Sequence, residues 1–256
     1  MQHRTLWAFV SALILVTAAA CGGGEAPAPA PPAEAPPAAI DPATVGNITG
    51  TIMLEGEPPA AETIRMNSDP KCVTEAGDDT QTEYYVVSDS GSLGNVFVYV
   101  KEGLEGHSFP PATETVVLSQ DGCRYRPHVF GVQVGQTVQI VNNDATLHNI
   151  HATPSANEEF NMGQPVEGMT SDRTFDTAEV MVPFQCDVHG WMNSYVGVVD
   201  HPFFGVTGAD GAFDLSGLPP GDYVVEAWHE NLGTQTQNVT VGESATAELS
   251  FTFSVG

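Results

Sequence analysis

From residue 47 onward, short runs with apolar residues at alternate positions recur along the chain, separated by Gly, Pro, Asn and Asp. A period of two marks a strand with one buried face. Strands are expected at Asn47–Leu54, Tyr84–Val87, Asn95–Val100, Glu114–Leu118, His128–Val134, Thr137–Asn142 and Asn149–Ala152. Six more are expected at Val180–Phe184, Tyr195–Val199, Ala212–Leu215, Tyr223–Trp228, Thr236–Val241 and Thr246–Phe253. All are rich in Val, Thr, Phe and Tyr, which suit a pleated, half-buried surface. Val132, Val134, Val138 and Ile140 flank Gly135-Gln136, the composition of a hairpin turn. No window carries a helical period, and helix is expected only as single turns near Ala61–Arg65 or Ala156–Asn161. The expected fold class is all-β, as one or two β-sandwiches.

The first 45 residues read differently. His3 and Arg4 precede an apolar run from Leu6 to Val16, the size of a signal-peptide core and too short to span a bilayer comfortably. It ends in Ala18-Ala19-Ala20-Cys21 and three glycines. Small residues before a Cys resemble a bacterial lipobox, with Ala18 where Leu is commoner. That resemblance implies a signal peptide over residues 1–20 and lipidation of Cys21 as the mature N-terminus; an ordinary secretory signal cleaved nearby is the alternative. Glu25 to Ala39 is almost entirely Ala and Pro, so residues 21–45 read as a linker with a semi-rigid stalk of about 45 Å. The expected location is outside the cytoplasm, lipid-anchored to a bacterial membrane, periplasmic or at the cell surface.

Composition narrows the partners. Asp and Glu number 32 against 7 Lys and Arg, a formal charge of −25, so phosphate contacts are scarce and nucleic-acid binding is not expected. A basic partner is the better expectation, although an acid-rich surface also serves solubility. With 41% hydrophobic residues the chain has enough apolar side chain for a core, which excludes wholesale disorder despite 26 Gly and 19 Pro.

The chemistry concentrates in two segments. Cys186-Asp187-Val188-His189-Gly190-Trp191-Met192 spaces a thiol, an imidazole and a thioether three residues apart, and His148 lies upstream in Val141-Asn142-Asn143-Asp144-Ala145-Thr146-Leu147-His148-Asn149. A thiolate, two imidazoles and a weak axial thioether form the ligand set of a blue-copper site. One loop delivers three ligands to one ion only if they lie close in sequence, and a fourth from a neighbouring strand pins the loop to the sandwich. A buried core thiol with Met192 as packing is the bland reading, and zinc on a Cys-His-His set is the competing metal.

The His-Asn pair followed by this C-x2-H-x2-M spacing resembles the cupredoxins, with a ligand loop most similar to that of amicyanin. The N-x-D element before His148 resembles the same family, and the likeness covers about residues 112–200. The resemblance implies a Greek-key sandwich holding one type 1 copper, with ligands His148, Cys186, His189 and Met192. It makes Asn149 the residue that ties the His148 strand to the Cys186 loop. His151, two residues on, is expected on the opposite strand face, at the surface or behind the ligands, with a second weaker copper site as the alternative. His128, His107, His201 and His229 carry no ligand spacing.

Cys72 and Cys123 remain, and export to an oxidising compartment leads to the expectation that they form a disulfide. Downstream, Asp210-Gly211, Leu218-Pro219-Pro220-Gly221 and Tyr223 resemble the carboxypeptidase regulatory-like, transthyretin-like β-sandwich. That family's opening motif resembles Ile48-Thr49-Gly50-Thr51-Ile52, far upstream. The resulting domain expectation is a split sandwich from 46–110 and 201–256, interrupted by a cupredoxin unit at 111–200; two tandem sandwiches are the alternative.

No nucleophile triad, carboxylate pair or phosphate loop stands out, so the chain is not expected to be an enzyme. The expected function is a membrane-tethered single-electron carrier cycling Cu(II)/Cu(I) with a redox protein partner, a basic cytochrome or dehydrogenase. Copper delivery, or a binding sandwich with structural copper, are the alternatives.

Overall fold

The computed structural model describes residues 39–255, so the expected signal peptide, Cys21 and most of the Ala/Pro stalk lie outside the described residues. The first strand, β1 (Gly46–Glu55), buries Ile48, Ile52 and Leu54 on one face, as its alternation dictates. After it come the helix α1 (Pro70–Ala76) and β2 (Phe97–Glu102). Nine strands follow: β3 (Val116–Gln120), β4 (Tyr125–Arg126), β5 (Val129–Gln133), β6 (Val138–Asn142), β7 (His148–Ala152), β8 (Phe160–Gln164), β9 (Thr170–Arg173), β10 (Glu179–Gln185) and β11 (Asn193–Val199). The chain ends in β12 (Phe204–Val206), β13 (Ala212–Leu218), β14 (Gly221–His229), β15 (Gly233–Val241) and β16 (Thr246–Ser254). The fold is all-β, with α1 the one α-helix among the described residues. None of its helices is long and apolar enough to cross a membrane.

The strands form four sheets. β1 is the centre of β13-β1-β16, antiparallel to β13 and parallel to β16. The sheet β12-β2-β14-β15 shares a core with it, built from Ile48, Ile52, Val98, Val100, Leu215, Val225, Phe251 and Phe253. This sandwich draws on both ends of the described chain. The strands between β2 and β12 make the other two sheets, β4-β3-β6-β9 and β5-β11-β10-β7-β8, around Leu118, Tyr125, Val138, Ile140, Ile150, Phe184 and Val196.

Phe97 and Tyr99 of β2 pack against Val129 and Val199 of β5 and β11, joining the two sandwiches. Gly131 and Gly197 face each other in the parallel β5–β11 ladder. A Cβ at Gly131 would lie 2.6 Å from the Phe97 ring and one at Gly197 only 2.4 Å from it. The paired glycines leave the hollow that the ring fills. Beside it, buried His128 pairs with Glu230 at the end of β14.

The helix departs from expectation. It forms at Pro70–Ala76, not near residues 61–65 or 156–161, because Asp69 caps Lys71 N–H at 2.8 Å and Pro70 occupies the first turn. Residues 84–87 form no strand and contribute only a bridge from Val87 to Leu93. The segment carrying α1 also sits elsewhere than a 46–110 unit implies. Its Met66, Cys72 and Ala76 are in the core of the β3–β11 sandwich.

Candidate metal centre

His148 opens β7, and Cys186 follows the last residue of β10. The loop from Cys186 to Met192 is tied to itself: Cys186 N–H donates to Met192 O at 3.1 Å and Met192 N–H to His189 O at 2.9 Å. His189 N–H points at Cys186 Sγ from 3.4 Å. Asn149 joins strand to loop, its Oδ1 accepting from Asp187 N–H at 2.7 Å and Val188 N–H at 3.3 Å.

This local order brings three donor atoms together. His148 Nδ1 lies 3.0 Å from His189 Nδ1, and Cys186 Sγ lies 4.0 Å from His189 Nδ1. The ligand atoms of His148, Cys186 and His189 all fall within 4.8 Å of one another. All three residues are buried, with exposures of 0%, 1% and 2%. Met192 is buried in the same core.

The remote nitrogen of each imidazole faces a carboxylate. His148 Nε2 is 2.8 Å from Asp144 Oδ2, and Asp144 accepts further bonds from Gly122 N–H and Cys123 N–H, both at 2.8 Å. His189 Nε2 is 3.1 Å from Asp69 Oδ2. An ionised carboxylate only accepts, so each Nε2 carries a proton and each Nδ1 faces the centre.

The charges point the same way. Burial pushes the Cys186 thiol up, but hydrogen bonds from His148, His189 and the backbone N–H groups of Asn149 and His189 outweigh it and bring it down to about 5. Burial likewise opposes ionisation of Asp144, and His148 with the Cys123 and Gly122 N–H groups overcomes it and lowers the carboxyl. His148 is raised: its burial is outweighed by Asp144 and Cys186. A thiolate and two carboxylates around two imidazoles leave excess negative charge, and buried charge requires a partner. Two imidazoles and a thiolate suit a soft or borderline cation, copper or zinc.

The disulfide keyed by the leftover cysteines is present: Cys72 and Cys123 are bonded, 51 residues apart. It sits against the centre, with Cys72 Sγ 3.6 Å from His189 Nε2. The His189 ring also lies 5.1 Å from the Trp191 ring, whose Nε1–H donates to Cys123 O at 3.0 Å. His151 stands apart on the surface, between Asp187 at 3.1 Å and Glu159 at 3.2 Å. Asp69, Asp144 and Thr146 escaped the sequence reading as site residues. The N-x-D element was the only hint of Asp144, and the Asp-Pro helix start the only hint of Asp69.

Residues 199–254 match the carboxypeptidase regulatory-like domain family. No curated protein matches the chain. Among solved structures, the chain is similar to a copper-containing nitrite reductase from Thermus scotoductus SA-01, with 21% identity over 37% of this chain and 24% of that one, at a TM-score of 0.32. The chain thus spans about a quarter of that enzyme. It is also similar to two amicyanin variants. A Cu(I) form is 25% identical over 34% of this chain and 84% of that one, and an oxidised form 22% identical over 40% and 97%, both at a TM-score of 0.30. Residues 199–254 thus match the carboxypeptidase regulatory-like family, and the chain has weak structural similarity to amicyanin structures.

Proposed function

We propose that the chain is a type 1 copper protein that carries single electrons, tethered to a bacterial membrane outside the cytoplasm and not itself an enzyme. The observation that carries this reading is the buried convergence of Cys186 Sγ with Nδ1 of His148 and His189. Bound copper supplies one-electron redox chemistry. The ligands would be His148, Cys186 and His189, with Met192 as a weak thioether donor that would favour copper over zinc.

The chain's own groups supply rigidity. Asp144 and Asp69 hold the Nε2 protons, so neither ring is free to turn. The self-bonded loop and the Asn149 link fix Cys186. Burial keeps water from the donors. A centre that moves little when its charge changes passes electrons with small reorganisation. The same burial weighs against metal delivery, which needs an incoming ligand to reach the ion. The acidic surface supports a basic redox partner docking at a rate that falls with ionic strength. The carboxypeptidase regulatory-like segment would serve as scaffold.

Absorption and paramagnetic-resonance spectra of copper-loaded protein test the reading. An intense visible thiolate-to-copper band that bleaches reversibly on reduction is expected. Zinc binding with a colourless copper complex would overturn it. Membrane fractionation of wild type and Cys21→Ala tests the tether, and a variant that remains lipid-attached would refute the anchor.

A further inference from the structure

Asp69 is remote from the proposed ligands in sequence, 120 residues from His189, and precedes all the strands of the β3–β11 sandwich in the chain. It belongs to the segment that leaves β1, the central strand of the other sandwich. Three independent restraints bring it to the metal centre. Its Oδ1 caps α1 through Lys71 N–H at 2.8 Å. Its Oδ2 accepts from Thr146 Oγ1 at 2.9 Å, in the loop that also carries Asp144. Three residues on, Cys72 bonds to Cys123, whose own N–H holds Asp144.

We propose that Asp69 is a positioning residue for the metal centre, and that the α1 segment is a disulfide-stapled cap holding His189 in one orientation. The inference rests on the copper reading above. His189 reaches the centre from a loop, where a ring is free to rotate unless something outside the loop grips it. His148 has its grip in Asp144, a near neighbour in sequence. His189 has it in Asp69, which fixes Nε2 as the protonated nitrogen and so turns Nδ1 toward Cys186 Sγ and His148 Nδ1. The cap also covers His189 to 2% exposure, so water has no easy route to replace it.

Two variants separate the grip from the helix cap. Asp69→Ser keeps an N-cap oxygen but is too short to span to His189. Asp69→Asn keeps the cap through Oδ1 but presents an Nδ2–H2 donor, not an acceptor, to His189 Nε2. The first readout needs no metal: long-range 15N–1H correlation spectra of the apoprotein report which nitrogen of His189 is protonated. Wild type is expected to show a single Nε2–H form at His189, Asp69→Ser a mixture, and Asp69→Asn a shift toward the Nδ1–H form, with His148 unchanged in all three. The second readout is copper(II) affinity, expected to fall about 10- to 100-fold in both variants, the range for lost outer partners of a ligating histidine. Thr146→Val, which leaves Asp69 and the helix intact, should give a smaller change in the same direction. A single Nε2–H form in Asp69→Ser, with affinity within twofold of wild type, would overturn the proposal. Wild type that binds no copper would sink the copper reading alone, because the protonation of His189 still reports on the grip.

Discussion

Each sandwich holds a pair of buried histidines, His201 and His229 in one and His148 and His189 in the other, yet only the second pair converges on a common centre. In the β1–β2 and β12–β16 sandwich, His201 donates through Nε2 to Val100 O at 2.8 Å and accepts at Nδ1 from Phe203 N–H at 3.1 Å. His229 accepts from Asn231 N–H at 3.2 Å and stacks on Tyr85. Backbone and aromatic partners satisfy these rings, and burial pushes His229 down to about 4, keeping it neutral. In the β3–β11 sandwich the two rings face carboxylates outward and each other inward, and the same burial is overruled at His148, which is raised. Burial of a histidine is thus no mark of function. Imidazole nitrogens that converge on one another and on a thiol are.

The sharpest way to break this comparison is at the thiolate. Cys186→Ser should remove the visible charge-transfer band of the copper-loaded protein entirely, while the far-ultraviolet circular dichroism of both sandwiches stays as in wild type. The joint between the sandwiches comes next. Phe97→Ala empties the hollow over Gly131 and Gly197 and should cost about 3 to 5 kcal/mol in denaturant unfolding. Removing the disulfide as Cys72→Ala with Cys123→Ala should cost about 2 to 4 kcal/mol, with the loss falling on the sandwich that holds His148, Cys186 and His189.

A fourth prediction concerns acid. His229 folds with its value depressed from the ordinary 6.5 to about 4. Between those values the unfolded chain binds the proton and the folded one does not, so stability rises with pH across this window. The contribution is complete above 6.5 and is lost as pH falls through 4. His229→Phe should flatten that part of the acid-unfolding curve in the metal-free protein. The smallest effect is expected at His151→Ala, which removes surface contacts to Asp187 and Glu159 and should leave the copper band nearly unchanged.

Much of the fold was legible because alternation survives wherever one strand face is buried, as in β1, β13 and β16. It vanished at sheet edges. β8 (Phe160–Gln164) and β9 (Thr170–Arg173) are outermost in their sheets and mostly exposed or half-buried, so their sequences carry little period. The helix was missed because seven residues are too few to display a 3.6 period, though Asp69-Pro70 announced its start. The donors Cys186 and His189 could be read directly because one loop sets their spacing. Asp69 could not, since nothing local in the sequence connects it to a ring 120 residues away.

The parallel pairing of β1 with β16 has a consequence for how the chain is made. Asn47 opposes Thr246 and Glu55 opposes Ser254, so the first strand of the described residues has a partner in the last. Until β13 and then β16 emerge, Ile48, Ile52 and Leu54 lack most of their core and the hydrogen-bonding edges of β1 stay open, the condition under which nascent chains aggregate. Closing a free loop of this length costs about 5 kcal/mol in chain entropy beyond a constant term. If the β3–β11 sandwich folds first, it draws its own ends together and spares much of that cost. His201 then needs only to find Val100, 101 residues back, for the two halves of the host to meet.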